Sequence, residues 1–208
     1  MNLIEKLNWR YAVKRMNGTK VPQEKVENIL EAIRLAPTSL GLQAFKVFVI
    51  EDVALREKIF NEACPQPQIK EASHILIFAA NKKVNQEQVD EYIQLIATTR
   101  NTTVEGLNDF KAHFSRIVND TEEHNFAWTS RQAYIAFGVG LTAAAIEHVD
   151  TTPMEGFNAE SLDAILGLND QNLSAVTILT LGYRDNDNDY LVNATKVRKS
   201  KEIMFSLN

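Results

Sequence analysis

Several stretches of this 208-residue chain carry residue types that could do chemistry by themselves. Gly138-Val-Gly140-Leu-Thr-Ala143 fits the Gly-x-Gly-x-x-Gly/Ala spelling of a dinucleotide site. That chemistry needs a strand before the glycines and a helix opening on them, so that backbone amides face a pyrophosphate. Here Ser130 to Phe137 already reads as helix, and small residues inside a buried helix serve close packing instead. Thr38-Ser39-Leu-Gly41 lacks the first glycine of a nucleophile elbow, and no Walker-type phosphate loop occurs. His74, His113, His124 and His148 show no zinc spacing with Cys or carboxylates, so no metal site is expected. His148 is expected at a helix end, where a cation favours the dipole. Four further segments match none of these chemistries. They are Arg10-Tyr-Ala-Val-Lys14, Ala36-Pro-Thr-Ser-Leu-Gly-Leu-Gln43, Thr152-Pro-Met-Glu-Gly-Phe157 and Thr195-Lys-Val-Arg-Lys199.

The elements that must position them are read from periodicity. Pro22 and Glu24 open a helix whose Val26, Ile29, Leu30 and Ile33 share one face, and Ala36-Pro37 closes it. Phe45–Ile50 is a strand candidate. His74 to Ala80 is a second, its continuous apolar run implying burial on both faces. Ala175 to Leu181, closed by Gly182, is a third. Val89, Tyr92, Ile93 and Ile96 mark one helix, and Val104, Leu107, Phe110, Phe114 and Ile117 another. Trp128 to His148 is apolar nearly all round and reads as a buried central helix. A last helix is expected from Ala159 to Leu166. Strands and helices mix without a βαβα repeat, which favours an α+β sheet covered by helices over a doubly wound fold.

Composition narrows the function classes. The chain is 45% apolar and 24% charged, ordinary for a globular protein. A net charge of −5 without like-charge blocks gives no footprint for nucleic acid or an anionic membrane. The single cysteine, Cys64, excludes an intramolecular disulfide framework. No signal-peptide core and no bilayer-length apolar run is seen, so a cytoplasmic address is expected. Without repeats or linkers, residues 1–208 read as one domain.

Taken in order and spacing, with Trp128 and Gln132 on the long helix, the four segments resemble the FMN-dependent nitroreductase family. The resemblance covers nearly the whole chain, and Pro153-Met-Glu-Gly-Phe157 is its most specific piece. It implies a nitroreductase-like α+β fold with a central, mostly antiparallel sheet. It also implies a homodimer whose long helix forms much of the interface, with FMN sites shared across it. On that pattern Arg10, Lys196 and Arg198 would hold the flavin phosphate and Lys14 the N1–O2 edge of the ring. Tyr11 and Ala12 would lie along the same segment. Pro153, Met154, Glu155 and Gly156 would line one ring face, Gly156 permitting close backbone approach. Pro37, Thr38, Ser39 and Gly41 would reach the cofactor from the other subunit. Gln68 matches a position at the pyrimidine edge. Phe114 matches a mobile aromatic over the acceptor, although its place in an apolar stripe also fits plain core.

The implied activity is electron transfer from NADH or NADPH to nitroaromatic, quinone or related small-molecule acceptors by a ping-pong mechanism. The flavin carries the chemistry, and no essential acid or base residue is expected. Departures from the family pattern are Ala12, commonly serine, and Gln43-Ala-Phe45, commonly Gln-Pro-Trp. Leu40 and Leu42 replace polar residues of some relatives. Three alternatives stay open: a flavin or quinone reductase for which nitro reduction is incidental, a flavin-sequestering protein without turnover, and a nucleotide-binding module built on the Gly138 motif.

Overall fold

The computed structural model describes residues 2–206. Four strands, β1 (Phe45–Ile50), β2 (His74–Asn81), β3 (Asp150–Met154) and β4 (Leu173–Gly182), form one sheet in the order β1-β2-β4-β3. Every neighbouring pair is antiparallel. The helices are α1 (Leu3–Trp9), α2 (Gln23–Arg34), α3 (Val53–Glu62), α4 (Gln68–Glu71) and α5 (Gln86–Arg100). After them come α6 (Asn108–Ala112), α7 (Ser115–Asn119), α8 (Glu122–Ile146), α9 (Ala159–Leu166) and α10 (Lys201–Met204).

The run His74 to Asn81 is buried throughout because both sheet faces are covered. Leu76, Phe78 and Ala80 pack with α2 and α8, sharing a cluster with Ile29, Ile33, Ala133, Ala136 and Phe137. Ile75, Ile77 and Ala79 face the other way, toward Ile59 of α3 and Leu162 of α9. Alternation of side chains along a strand produces this division. The α+β expectation is met.

Three expectations need correction. The 25-residue α8 starts at Glu122, not near Trp128, because Thr121 caps it by accepting from the His124 amide at 3.2 Å. The predicted helix through Val104, Phe110 and Ile117 is broken into a 3-10 turn at Glu105–Leu107 followed by α6 and α7. None of these turns has a capping side chain, and tertiary packing of Phe110, Phe114 and Ile117 against α5 decides the path instead. His148 lies beyond α8 with φ of +55°. The cations on that helix end are Lys6, donating to the Ile146 carbonyl at 2.9 Å, and Lys25, donating to the Glu147 carbonyl at 2.5 Å. Burial, with those two lysines nearby, lowers the His148 pKa and favours the neutral ring.

Periodicity alone does not reveal α3 or β3. β3 is an edge strand, where Pro153 is tolerated because no ladder needs its missing N–H.

Gly138 and Gly140 sit inside α8, past its sixteenth residue, and not at a strand–helix turn. A Cβ on Gly140 would stand 2.9 Å from Ile33 Cδ1, whereas one on Gly138 meets nothing within 4 Å. Gly140→Ala is therefore expected to cost about 1–3 kcal/mol by overpacking. Gly138→Ala is expected to gain about 0.5–1 kcal/mol of helix stability. Urea denaturation of both variants checks the pair. Equal effects at the two positions would argue against a packing role.

Candidate functional site

The segment after α1 leaves the helix at Arg10 in an extended conformation and runs beside β3. Ala12 forms a parallel bridge with Thr151, and the Val13 amide donates to the Thr151 carbonyl at 3.3 Å. The Val13 carbonyl accepts from Gln68 Nε2 at 2.9 Å and from Thr152 Oγ1 at 2.6 Å. These bonds bury Val13 and leave its neighbours Ala12 and Lys14 on the wall of a cavity of about 550 Å³. Pro153 of β3 forms another side, and the chain returning from β4 closes the third with Lys196 and Arg198.

Electrostatics mark this cavity. Burial, then the nearby Arg198, lowers the Arg10 pKa, while Asp150 partly opposes them. Burial, then Arg10 and Arg198, likewise lowers Lys196. Three cations thus repel one another in a partly dry space. Lys196 Nζ donates to the Leu7 carbonyl at 2.6 Å and to the Arg10 carbonyl, which draws the tail onto the Arg10 backbone. Arg10 Nε is buried without a hydrogen-bond partner, and so is Gln68 Oε1. Buried polar atoms are nearly always paired, so the unpaired Arg10 donor on the cavity wall points to a ligand that carries an acceptor.

Residues not foreseen from sequence complete the frame. Arg184 binds Asp150 through Nε, 3.0 Å from both carboxylate oxygens, and through Nη2 at 2.5 Å from Oδ1. Its guanidinium lies 4.6 Å from the ring centroids of both Trp9 and Tyr11. Asp189 is 3% exposed and accepts from Tyr11 Oη at 2.9 Å, the Lys14 amide at 2.8 Å and the Leu191 amide at 2.9 Å. Burial opposes its charge, but these hydrogen bonds outweigh burial and hold its carboxyl below the ordinary value. No local sequence signal identifies either residue, since the partners that matter here, Asp150 for Arg184 and Tyr11 and Lys14 for Asp189, lie far along the chain.

Of the residues picked out in the sequence, Arg10, Tyr11, Ala12, Lys14, Pro153, Lys196 and Arg198 line the one cavity. Gln68 stands behind it on Val13. Met154 is buried next to Cys64, their sulfurs 3.9 Å apart. Glu155 is held at 2.7 Å by Tyr134 Oη on α8, and burial, then the contact with Glu155, pushes the Tyr134 pKa up to about 12. The Gly156 carbonyl accepts from Gln66 Nε2 at 3.3 Å. Pro37, Thr38, Ser39 and Gly41 do not line this cavity. Their loop docks on α8 through the Ser39 amide and Gln132 Oε1 at 2.8 Å, and Gly41 lies under the Tyr92 hydroxyl. Phe114 is 1% exposed, edge-on to Tyr92 and Phe110, and takes the core alternative within this chain because those rings enclose it.

Among the described residues no His/Cys/Asp/Glu group could hold a metal ion, and no helix is long and apolar enough to cross a membrane. The nitroreductase family model matches residues 7–183, so Asp189, Lys196 and Arg198 lie past the matched stretch. A Staphylococcus aureus protein named "Putative NAD(P)H nitroreductase" is 31% identical over 197 residues, covering 89% of this chain and 87% of that protein. A Staphylococcus haemolyticus protein of the same description is 32% identical over 194 residues, covering 88% of each. In structure the chain is similar to a Bacillus subtilis "putative nitroreductase", with a TM-score of 0.85 at 20% identity over 99% of this chain and 98% of the other. An Exiguobacterium sibiricum "putative nitroreductase in complex with FMN" superposes with a TM-score of 0.83 at 16% identity over 100% and 98%. The antiparallel sheet with its helical layers is thus the nitroreductase fold, and the chain belongs to the nitroreductase family.

Proposed function

We propose that this chain is an FMN-dependent oxidoreductase that carries electrons from NADH or NADPH to nitroaromatic, quinone or related acceptors. The observation that carries the reading is the crowding of Arg10, Lys196 and Arg198 around one cavity, with mutual repulsion and an unpaired Arg10 Nε. Such a set favours an anionic ligand, and the FMN phosphate is a dianion. The relatives' names and the FMN-bound neighbour support the same cofactor.

The residues present fit FMN. Arg10, Lys196 and Arg198 would hold the phosphate, Tyr11 and Ala12 would lie along the same wall, and Lys14 would serve the electron-rich N1–O2 edge. Gln68, which holds the Val13 carbonyl from behind the wall, would support the segment facing the pyrimidine edge. Pro153, Met154, Glu155 and Gly156 back the ring. Bound there, the cofactor would supply two-electron chemistry, taking hydride from a nicotinamide and reducing an acceptor. The protein's own contribution is binding, orientation and electrostatic tuning, and no His or carboxylate is assigned a proton-transfer role.

Residues 1–208 act as one cytoplasmic domain that pairs as a homodimer. Pro37, Thr38, Ser39 and Gly41 then serve the cofactor of the partner subunit, which explains their separation from the cavity of their own chain. Ile135 and Ile146 on α8 are 43% and 54% exposed, apolar surface that a second copy would cover.

The test is a titration of the flavin-free protein with FMN and with riboflavin, which lacks the phosphate. FMN is expected to bind at least about 100-fold more tightly, given roughly 1.5–3 kcal/mol for each charge-assisted bond. Equal affinities would remove the phosphate role of the three cations.

A further inference from the structure

We propose that Asp189 is a positioning residue of the flavin site, fixing the Tyr11–Lys14 segment and the cationic tail in the relative placement that turns their charges onto one ligand. The inference rests on the FMN reading given above.

The two strips that supply the cations come from opposite ends of the chain, and Tyr11 and Asp189 are 178 residues apart. Asp189 joins them with both carboxylate oxygens. Oδ2 accepts from Tyr11 Oη and the Lys14 amide, and Oδ1 accepts from the Leu191 amide. A neutral amide has one acceptor oxygen, and its NH₂ would face a donor, so three converging donors require a carboxylate. Among the described residues Asp189 makes no ion pair, so its charge is met by hydrogen-bond donors alone, these three and the Arg15 amide.

Its position also separates fold from function. Beyond Asp189 no described residue of the tail is buried, and Tyr190 and Val197 are 77% and 85% exposed. The tail therefore adds little apolar burial, and its placement depends on Asp189 and on Lys196. On the other side, Tyr11 carries the constraint to Arg184, whose guanidinium stacks on it and binds Asp150 at the start of β3. Asp189 thus touches two walls of the cavity and is linked to the third through Tyr11 and Arg184, while it does not line the cavity itself.

The experiment compares wild type, Asp189→Asn and Tyr11→Phe, the last keeping the ring on Arg184 and removing one donor. Dissociation constants for FMN, the midpoint potential of the bound flavin at saturation and thermal midpoints are measured. Asp189→Asn is expected to bind FMN about tenfold more weakly, and Tyr11→Phe to show a smaller loss in the same direction. Displacement of Lys14 from the ring is expected to lower the two-electron potential by about 30 mV in Asp189→Asn, a tenfold weaker preference for the reduced flavin. A purely structural role would lower the thermal midpoint and leave the potential of the bound flavin unchanged. Wild-type affinity and potential in a folded Asp189→Asn would overturn the proposal. If Asp189→Asn does not fold, unchanged affinity and potential in Tyr11→Phe would overturn it equally. Failure of the wild type itself to take up FMN would instead overturn the flavin reading, and this inference with it.

Discussion

Arg10→Ala is expected to weaken FMN binding by roughly 10- to 150-fold, the effect of losing one charge-assisted bond of about 1.5–3 kcal/mol. The flavin-free protein should hardly notice the change. In the free chain the Arg10 guanidinium is partly desolvated, repelled by Arg198 and left with an unpaired Nε. Removing it relieves repulsion and an unsatisfied donor while losing some stem packing, so stability is expected to stay within about 1 kcal/mol. The combination is diagnostic, because a structural arginine would cost stability and a solvated surface arginine would change neither quantity. Calorimetric titration with FMN and urea denaturation of the flavin-free variant measure the two. The affinity loss should shrink as salt rises, since screening weakens the exposed part of the attraction. Unchanged FMN affinity would remove Arg10 from the site.

Asp150→Ala is expected to have the largest effect on the fold, a loss of about 3–5 kcal/mol. Asp150 is 3% exposed and receives both the Arg184 guanidinium and the Arg184 amide, the latter at 2.9 Å. Truncation leaves that guanidinium between Trp9 and Tyr11 with its carboxylate gone and an amide without its acceptor. The penalty comes from the stranded charge more than from the lost attraction. Asp150→Ala combined with Arg184→Met is therefore expected to recover much of the loss, because the apolar side chain still packs on both rings. Urea denaturation of the single and double variants checks this. A single-variant loss below about 1 kcal/mol would mean that water screens the pair, and the frame of the cavity would need another explanation.

How much of this was legible in the sequence follows from the range of each interaction. β1, β2 and β4 announce themselves by apolar runs, and α9 begins and ends at the residues its pattern gives. β3 stays hidden because Asp150, two threonines and Pro153 look like a turn, and only pairing with β4 makes them a strand. The broken path from Val104 to Ile117 shows the reverse case, where correct apolar spacing was satisfied by packed rings without a continuous helix. In the site, the cations were legible as a set through the family resemblance. Asp150 with Arg184, and Asp189 with Tyr11, were not, because contacts across 34 and 178 residues leave no local periodicity. Nor does the sequence announce the backbone of the Thr38–Gln43 loop, where Leu40 and Gln43 hold φ of +56° and +50° without being glycine.

The most direct test of the central claim is an anaerobic absorption spectrum of the purified, FMN-reconstituted protein before and after adding NADH or NADPH. The expected result is a flavin spectrum that bleaches with at least one donor and recovers when a nitroaromatic or quinone is added. A flavin spectrum that neither donor bleaches would contradict the oxidoreductase reading and favour a protein that holds FMN without turning it over. A protein that stays colourless after reconstitution would contradict the flavin site itself.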